Sequence, residues 1–235
     1  MKNTTYYMAF LKFDKAALVN LEYSLSRESL RSNRAGSFAS TTISGCNTRK
    51  YHGLLICPLK EMAGDHHVLL SSLDITLIEH GKAFNLGIHK YEWDNYVPRG
   101  HKYIRDFDAE KGSRMTYRLG DVVFTREMML VQKKEQMLIK VTLEEANSSV
   151  TMRMQPFLAF RNIHKLSKAN LYVNRQYEEV PNGIKSCMYE GYPDLYMQLS
   201  KKVEFVAVPD WYYNIEYLED QRRGYDYKED LYVPG

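Results

Sequence analysis

The stretch VTMRMQPFLAF, Val150 to Phe160, decides the fold class. Val150, Met152, Met154, Pro156, Leu158 and Phe160 fall on one face of an extended chain, and Thr151, Arg153 and Gln155 begin the other. A period of two is the signature of a strand with one buried side. The same alternation runs outward in both directions. Met137, Ile139, Val141 and Leu143 alternate with Lys140 and Thr142. HVLLSSLDITLIE (67–79) reads as a strand pair or one long bent strand, and LYMQLS (195–200) and KVEFVAVPD (202–210) repeat the pattern. Turn signals stand between them: EHGK (79–82), RLGD (118–121), EEANSS (144–149), PNG (181–183) and EGYPD (190–194). Many strands punctuated by Gly, Asn and Pro predict an all-β protein, an antiparallel sandwich.

Helical signals are few. DKAALVNLEYSLSRES (14–29) predicts one short helix, and NIEYLEDQRRGYDYKED (214–230) predicts a helical tail around Ile215, Leu218 and Gln221, stopped by Gly224. This gives a β-rich domain over 1–210 and a helical linker over 211–235. The final DYKEDLYVPG can be a natural C-terminus, or a cut at the entry to a second domain.

Thirty-two basic and 29 acidic residues leave a net charge of +3, without the electrostatic footprint of a nucleic-acid binder. Three cysteines, Cys46, Cys57 and Cys187, lack CxxC or metal-type spacing and fit a reducing, cytoplasmic setting. The start, MKNTTYYMAFLKFDK, has no signal-peptide pattern, and no window reaches the roughly 20 apolar residues of a membrane span. Nineteen Tyr, 9 Phe and 2 Trp fit either pleated, half-buried strands or rings that stack on sugars.

Glycoside hydrolysis needs two carboxyl groups roughly 5–9.5 Å apart. Asp74, Glu92, Asp94, Asp106, Asp108, Glu229 and Asp230 are available, but no spacing marks a pair. His52, His66, His67, His80, His89, His101 and His164 form no metal motif, so neither metal nor cofactor is expected. The densest chemistry lies in SGCNTRKYHGLLICPL (44–59), where Asn47, Thr48, Arg49, Lys50, Tyr51 and His52 precede an apolar run. These groups suit either sugar hydroxyls or a neighbouring domain's carboxylates.

With SNRAGSFASTTISGCNTRKYHGLL (32–55), the chain resembles the N-terminal domain of prokaryotic-type glycogen debranching enzymes, the amylo-α-1,6-glucosidases. That family carries a stretch much like TNGLGGYASGTVAGANTRRYHGLL. VLLSSLD (68–74), YVPRGHKYIRDFD (96–108), RMQPFLAFRNIH (153–164) and WYYNIEYLEDQRRGYDYKEDLYVPG (211–235) continue the resemblance over roughly residues 20–235. It implies a galactose-mutarotase-like β-supersandwich followed by a catalytic (α/α)6 domain of the same polypeptide. This domain would then be non-catalytic, and its partners that domain and an α-glucan such as glycogen or a malto-oligosaccharide. Asn47 to His52 would form a surface facing the glucan cleft, with Trp93, Trp211 and Tyr212 as further sugar-stacking or interdomain residues. Arg34 and Ser37 replace family glycines, so Arg34 is expected to fill space that those glycines leave open.

Two other functions compete: a free-standing glucan-binding module, and a mutarotase-like epimerase using His101 with Asp106 or Asp108. A domain parted from its toroid is also expected to leave an apolar patch bare, through which the isolated chain would form a homodimer.

Overall fold

The computed structural model describes residues 11–110 and 112–235; the N-terminal stretch read for a signal peptide lies largely outside them. The strands are β1 (Lys12–Asp14), β2 (Glu28–Ser32), β3 (Phe38–Thr42), β4 (Gly53–Pro58), β5 (His66–Glu79), β6 (Lys82–Asn85), β7 (His89–Tyr91), β8 (Asn95–Val97) and β9 (Ile104–Asp108). They continue as β10 (Ser113–Leu119), β11 (Val122–Leu130), β12 (Met137–Glu145), β13 (Thr151–Asn162), β14 (Glu178–Val180), β15 (Gly183–Ser186), β16 (Leu195–Gln198), β17 (Asp210–Glu216) and β18 (Lys228–Val233). Among the described residues three five-residue α-helices join them: α1 (Lys15–Val19), α2 (Leu21–Leu25) and α3 (Leu218–Arg222).

Two antiparallel sheets dominate. One runs β1-β9-β10-β11-β12; the other runs β17-β18-β13-β5-β4-β3-β2, with β6 added to β5. Smaller sheets are β14-β15-β16 and the hairpin β7-β8.

The core between the large sheets follows from alternation. On β10 every second residue is buried, and Met115, Tyr117 and Leu119 meet Phe124 from β11 and Ile75 and Leu77 from β5. Tyr117 and Phe124 stack at 5.0 Å. Truncating Phe124 to alanine would cost ~3–5 kcal/mol, the range for a buried aromatic.

The periodicity of β13 spans two cores. Met152 and Met154 face this first core, whereas Leu158 and Phe160 enter a second with Trp211 and Tyr232. Register shifts produce the change: Phe157 pairs with Ser72 but Leu158 with Leu70, and Arg161 then pairs with Val68. Bulges of this kind bend a strand and re-aim its side chains.

Sequence and structure differ at three places. Residues 14–29 form two short helices, not one, because Asn20 ends α1 and caps α2 by accepting from Tyr23 N at 3.1 Å. Of KVEFVAVPD only Asp210 joins a strand; Val206 and Val208 stand exposed, with no partner strand among the described residues to use their alternation. The expected helical tail is mostly sheet. Trp211, Ile215, Leu231, Tyr232 and Val233 are buried in extended chain, the last strand along nearly its whole length, and this burial outweighs the helical spacing there. Only α3 remains, and Gly224 at φ +74° follows it as the stop signal predicts. Among the described residues no helix is long and apolar enough to cross a membrane.

Candidate functional site

The loop between β3 and β4 is built from the inside out. Asn47 is buried; its Oδ1 accepts from Thr41 Oγ1 at 2.9 Å, and its Nδ2 donates to Ser71 O and Oγ at 3.1 and 3.2 Å. Ser71 is the residue skipped in the β5–β13 ladder, so Asn47 occupies a carbonyl at the bulge. Thr48 N donates to His52 Nδ1 at 3.1 Å, which leaves the proton of the neutral ring on Nε2, 3.5 Å from Glu28 Oε1. Arg49 Nε contacts the same carboxylate at 2.6 Å. The His52 imidazole first, then Arg49, hold the Glu28 carboxyl at about 2, against the opposing effect of burial.

The far side of the loop grips the C-terminal segment. Glu219 N donates to Thr48 O at 2.9 Å, and Lys50 N donates to Asp220 Oδ2 at 2.6 Å. Arg161 Nη2 donates to Lys50 O at 2.8 Å and to Glu229 Oε2 at 3.1 Å. Glu229 is fully buried and also accepts from the Tyr217 hydroxyl and from Ser167 N and Oγ. Burial first, then the Glu229 carboxylate, push the Tyr217 hydroxyl well up, so it donates as a neutral phenol. Nearby, buried Lys90 pairs with buried Glu216 at 2.6 Å. Buried charges are tolerated only when paired and hydrogen-bonded, and each of these is.

The predicted residues therefore divide. Asn47, Thr48 and His52 lie inside, with His52 only 1% exposed, which corrects the expectation that the whole motif is a presented surface. Arg49, Lys50 and Tyr51 are half-buried. The Lys50 ammonium sits 5.0 Å from the Tyr225 ring centre, and the Tyr51 hydroxyl lies 3.2 Å from His164 Nδ1. Trp211 packs in the core against Tyr232 and offers no ring face to a sugar, since the inward positions of β17 include it. Tyr212 is half-buried against Phe157 and accepts from Gln155 Nε2 at 3.2 Å. Trp93 stands apart, 91% exposed at the tip of the β7-β8 hairpin, where it and Asp94 both have positive φ. Arg34 is exposed and fills no gap; the turn instead closes on Asn33 Oδ1, which accepts from Ala35 N and Ser37 N.

The seven carboxylates read as acid/base candidates have internal partners. Asp74 meets His89, Glu92 meets Lys228, Asp94 meets Lys90 and Asp106 meets Thr116. Asp108 accepts from Glu110 N, Glu229 meets Arg161, and Asp230 accepts from Ala169 N and Asn214 N. No hydrogen bond joins His101 to Asp106 or Asp108; among the described residues its buried Nδ1 has no partner. Cys46 and Cys57 are buried free thiols, pushed up by burial to about 12 and about 11.

One feature escaped sequence reasoning: an open cavity of about 480 Å³ at the end of β13, walled by Asp65, His67, Asn162, Asn170, Tyr189 and Tyr192 among others. Its parts come from segments more than 100 residues apart, and only the polar NIHKLSKAN after β13 hinted at it.

The fold and this clamp define an antiparallel β-sandwich domain whose buried charges fasten its own C-terminal strands. The family described as glycogen debranching enzyme N terminal matches residues 27–235, nearly the whole chain, and the chain belongs to that family. Comparison with curated proteins and with solved structures returned no match.

Proposed function

We propose that this domain is a non-catalytic part of an amylo-α-1,6-glucosidase that braces and shapes the glucan-binding cleft during cytoplasmic glycogen breakdown. The observation that carries this reading is the clamp from Thr48 and Lys50 to Glu219 and Asp220. It ties the family-like NTRKYHG loop to the segment that, by the family resemblance, leads into the catalytic domain. Internal partners for all seven candidate carboxylates support the non-catalytic role. The groups left on the rim, Arg49, Lys50 and Tyr51 with exposed Trp93, would meet the catalytic domain's loops or the glucan.

The test is Arg49→Ala in the polypeptide that carries this domain with its catalytic domain. The expected result is roughly a tenfold loss in kcat/KM on a branched malto-oligosaccharide, with no more than about 1 kcal/mol lost in stability. Unchanged kinetics in a folded variant would overturn the bracing role.

A further inference from the structure

The cavity at the end of β13 has a wall shaped by strain. Phe160 sits at φ +44°, inside the bulge between Leu158 and Arg161. A bulky side chain occupies that region only when its surroundings enforce it, and such residues cluster at binding and catalytic sites. The bulge turns Arg161 inward to Glu229 and leaves a hollow lined by rings and by donors and acceptors. At about 480 Å³ it lies within the roughly 300–1,000 Å³ of small-ligand sites.

The polar groups are already oriented. His67 Nδ1 donates to Asp65 O at 3.0 Å, so Nε2 of the neutral ring is an acceptor, and the ring packs edge-on against Tyr192. Tyr189 Oη accepts from Asn170 Nδ2 at 2.8 Å, which leaves the phenol proton to give. Asp65 Oδ2 lies 3.4 Å from Asn162 Nδ2 and keeps spare lone pairs. Such mixed donors and acceptors beside aromatic rings suit hydroxyls, each of which both gives and takes a hydrogen bond. The charges do not select an anion: Arg161 is held by Glu229, Lys168 lies 3.8 Å from Asp230, and the remaining lining charges, Lys165 and the Asp65 carboxylate, are of opposite sign.

We infer that this cavity is a binding site for a neutral oligosaccharide, a short α-glucan segment, in a hollow that the NTRKYHG loop itself does not line. The choice of an α-glucan rests on the debranching reading above; the choice of a neutral sugar rests on the cavity alone.

Amide NMR titration of the 235-residue chain with maltotriose, and separately with cellotriose, tests it. Saturable shifts at 162–170 and 189–192 with maltotriose are expected. Binding should be about tenfold weaker in Tyr189→Phe/Asn170→Ala, which removes donors without emptying the core. Asn170→Ala alone, at a half-buried loop position, serves if the double variant does not fold. Cellotriose binding as well as or better than maltotriose would overturn the α-glucan assignment and count against the debranching reading too. No shifts there with either sugar, or variants that bind like the parent, would overturn the site and leave the bracing role standing.

Discussion

Glu28 sets the charge balance of the β3–β4 loop, because both His52 and Arg49 turn toward it. A carboxyl whose folded pKa lies below its unfolded value adds stability above the unfolded value and loses it as pH falls through the folded one. Here that window runs from about 4.5 down to about 2. The group is one-third exposed, so screening holds the contribution to about 1 kcal/mol. Glu28→Gln should be less stable by that amount at neutral pH, with the gap closing between these two values in urea melts at stepped pH. A gap that persists below the window would contradict the pairing. Gly87 makes a harsher prediction. A Cβ there would overlap the Asp74 carboxylate, which His89 contacts at 3.1 Å. Gly87→Ala should cost more than about 2 kcal/mol in chemical denaturation, by overpacking and by breaking that pair. At this scale the sequence drew the eye to residues 47–52 but did not show which way their side chains faced. His52 looked like a surface group because Glu28, its partner, lies 24 positions upstream, on β2.

Among the elements, β18 is held to β17 by a backbone ladder but to β13 largely by side chains. Its ladder to β13 registers at one pair, Leu158 with Tyr232. The join also includes Arg161 with Glu229, Ser167 with Glu229 and Asp230, and the apolar packing of Leu231 and Val233 against Phe157 and Ala159. Arg161→Met strands a buried carboxylate and should cost ~3–5 kcal/mol, whereas Arg161→Met with Glu229→Met should recover most of it. Hydrogen exchange should show 228–233 opening first in the single variant; uniform loss of protection would refute a local clamp. Alternation revealed β13, β12 and β5 directly. It missed β17 and β18, because Ile215, Leu218 and Gln221 also satisfy a helical period and only burial against β13 decides between the two.

For the whole molecule, the boundary predicted at residue 210 falls inside one sheet. Trp211 and Tyr232 help build one core, and Ile215, Tyr217, Leu231 and Val233 another. A chain ended at residue 209 should therefore lose its cooperative melt and bind a hydrophobic dye. A sharp transition near that of the full chain would restore the linker reading. Composition and turn spacing predicted the sandwich well, since they depend on local pattern. The cavity and the clamp did not show, since both arise from residues far apart in sequence.

The position of β18 also imposes a schedule on synthesis. It lies between β13, finished about 70 residues earlier, and β17, made just before it. Until the residues of β18 have been made, β13 waits with a free edge and two cores stay open to solvent. Such long-range closure is slow, and an uncovered edge invites aggregation. A nascent chain of this domain should therefore hold trigger-type chaperones until residue 233 clears the exit tunnel, and release them soon after.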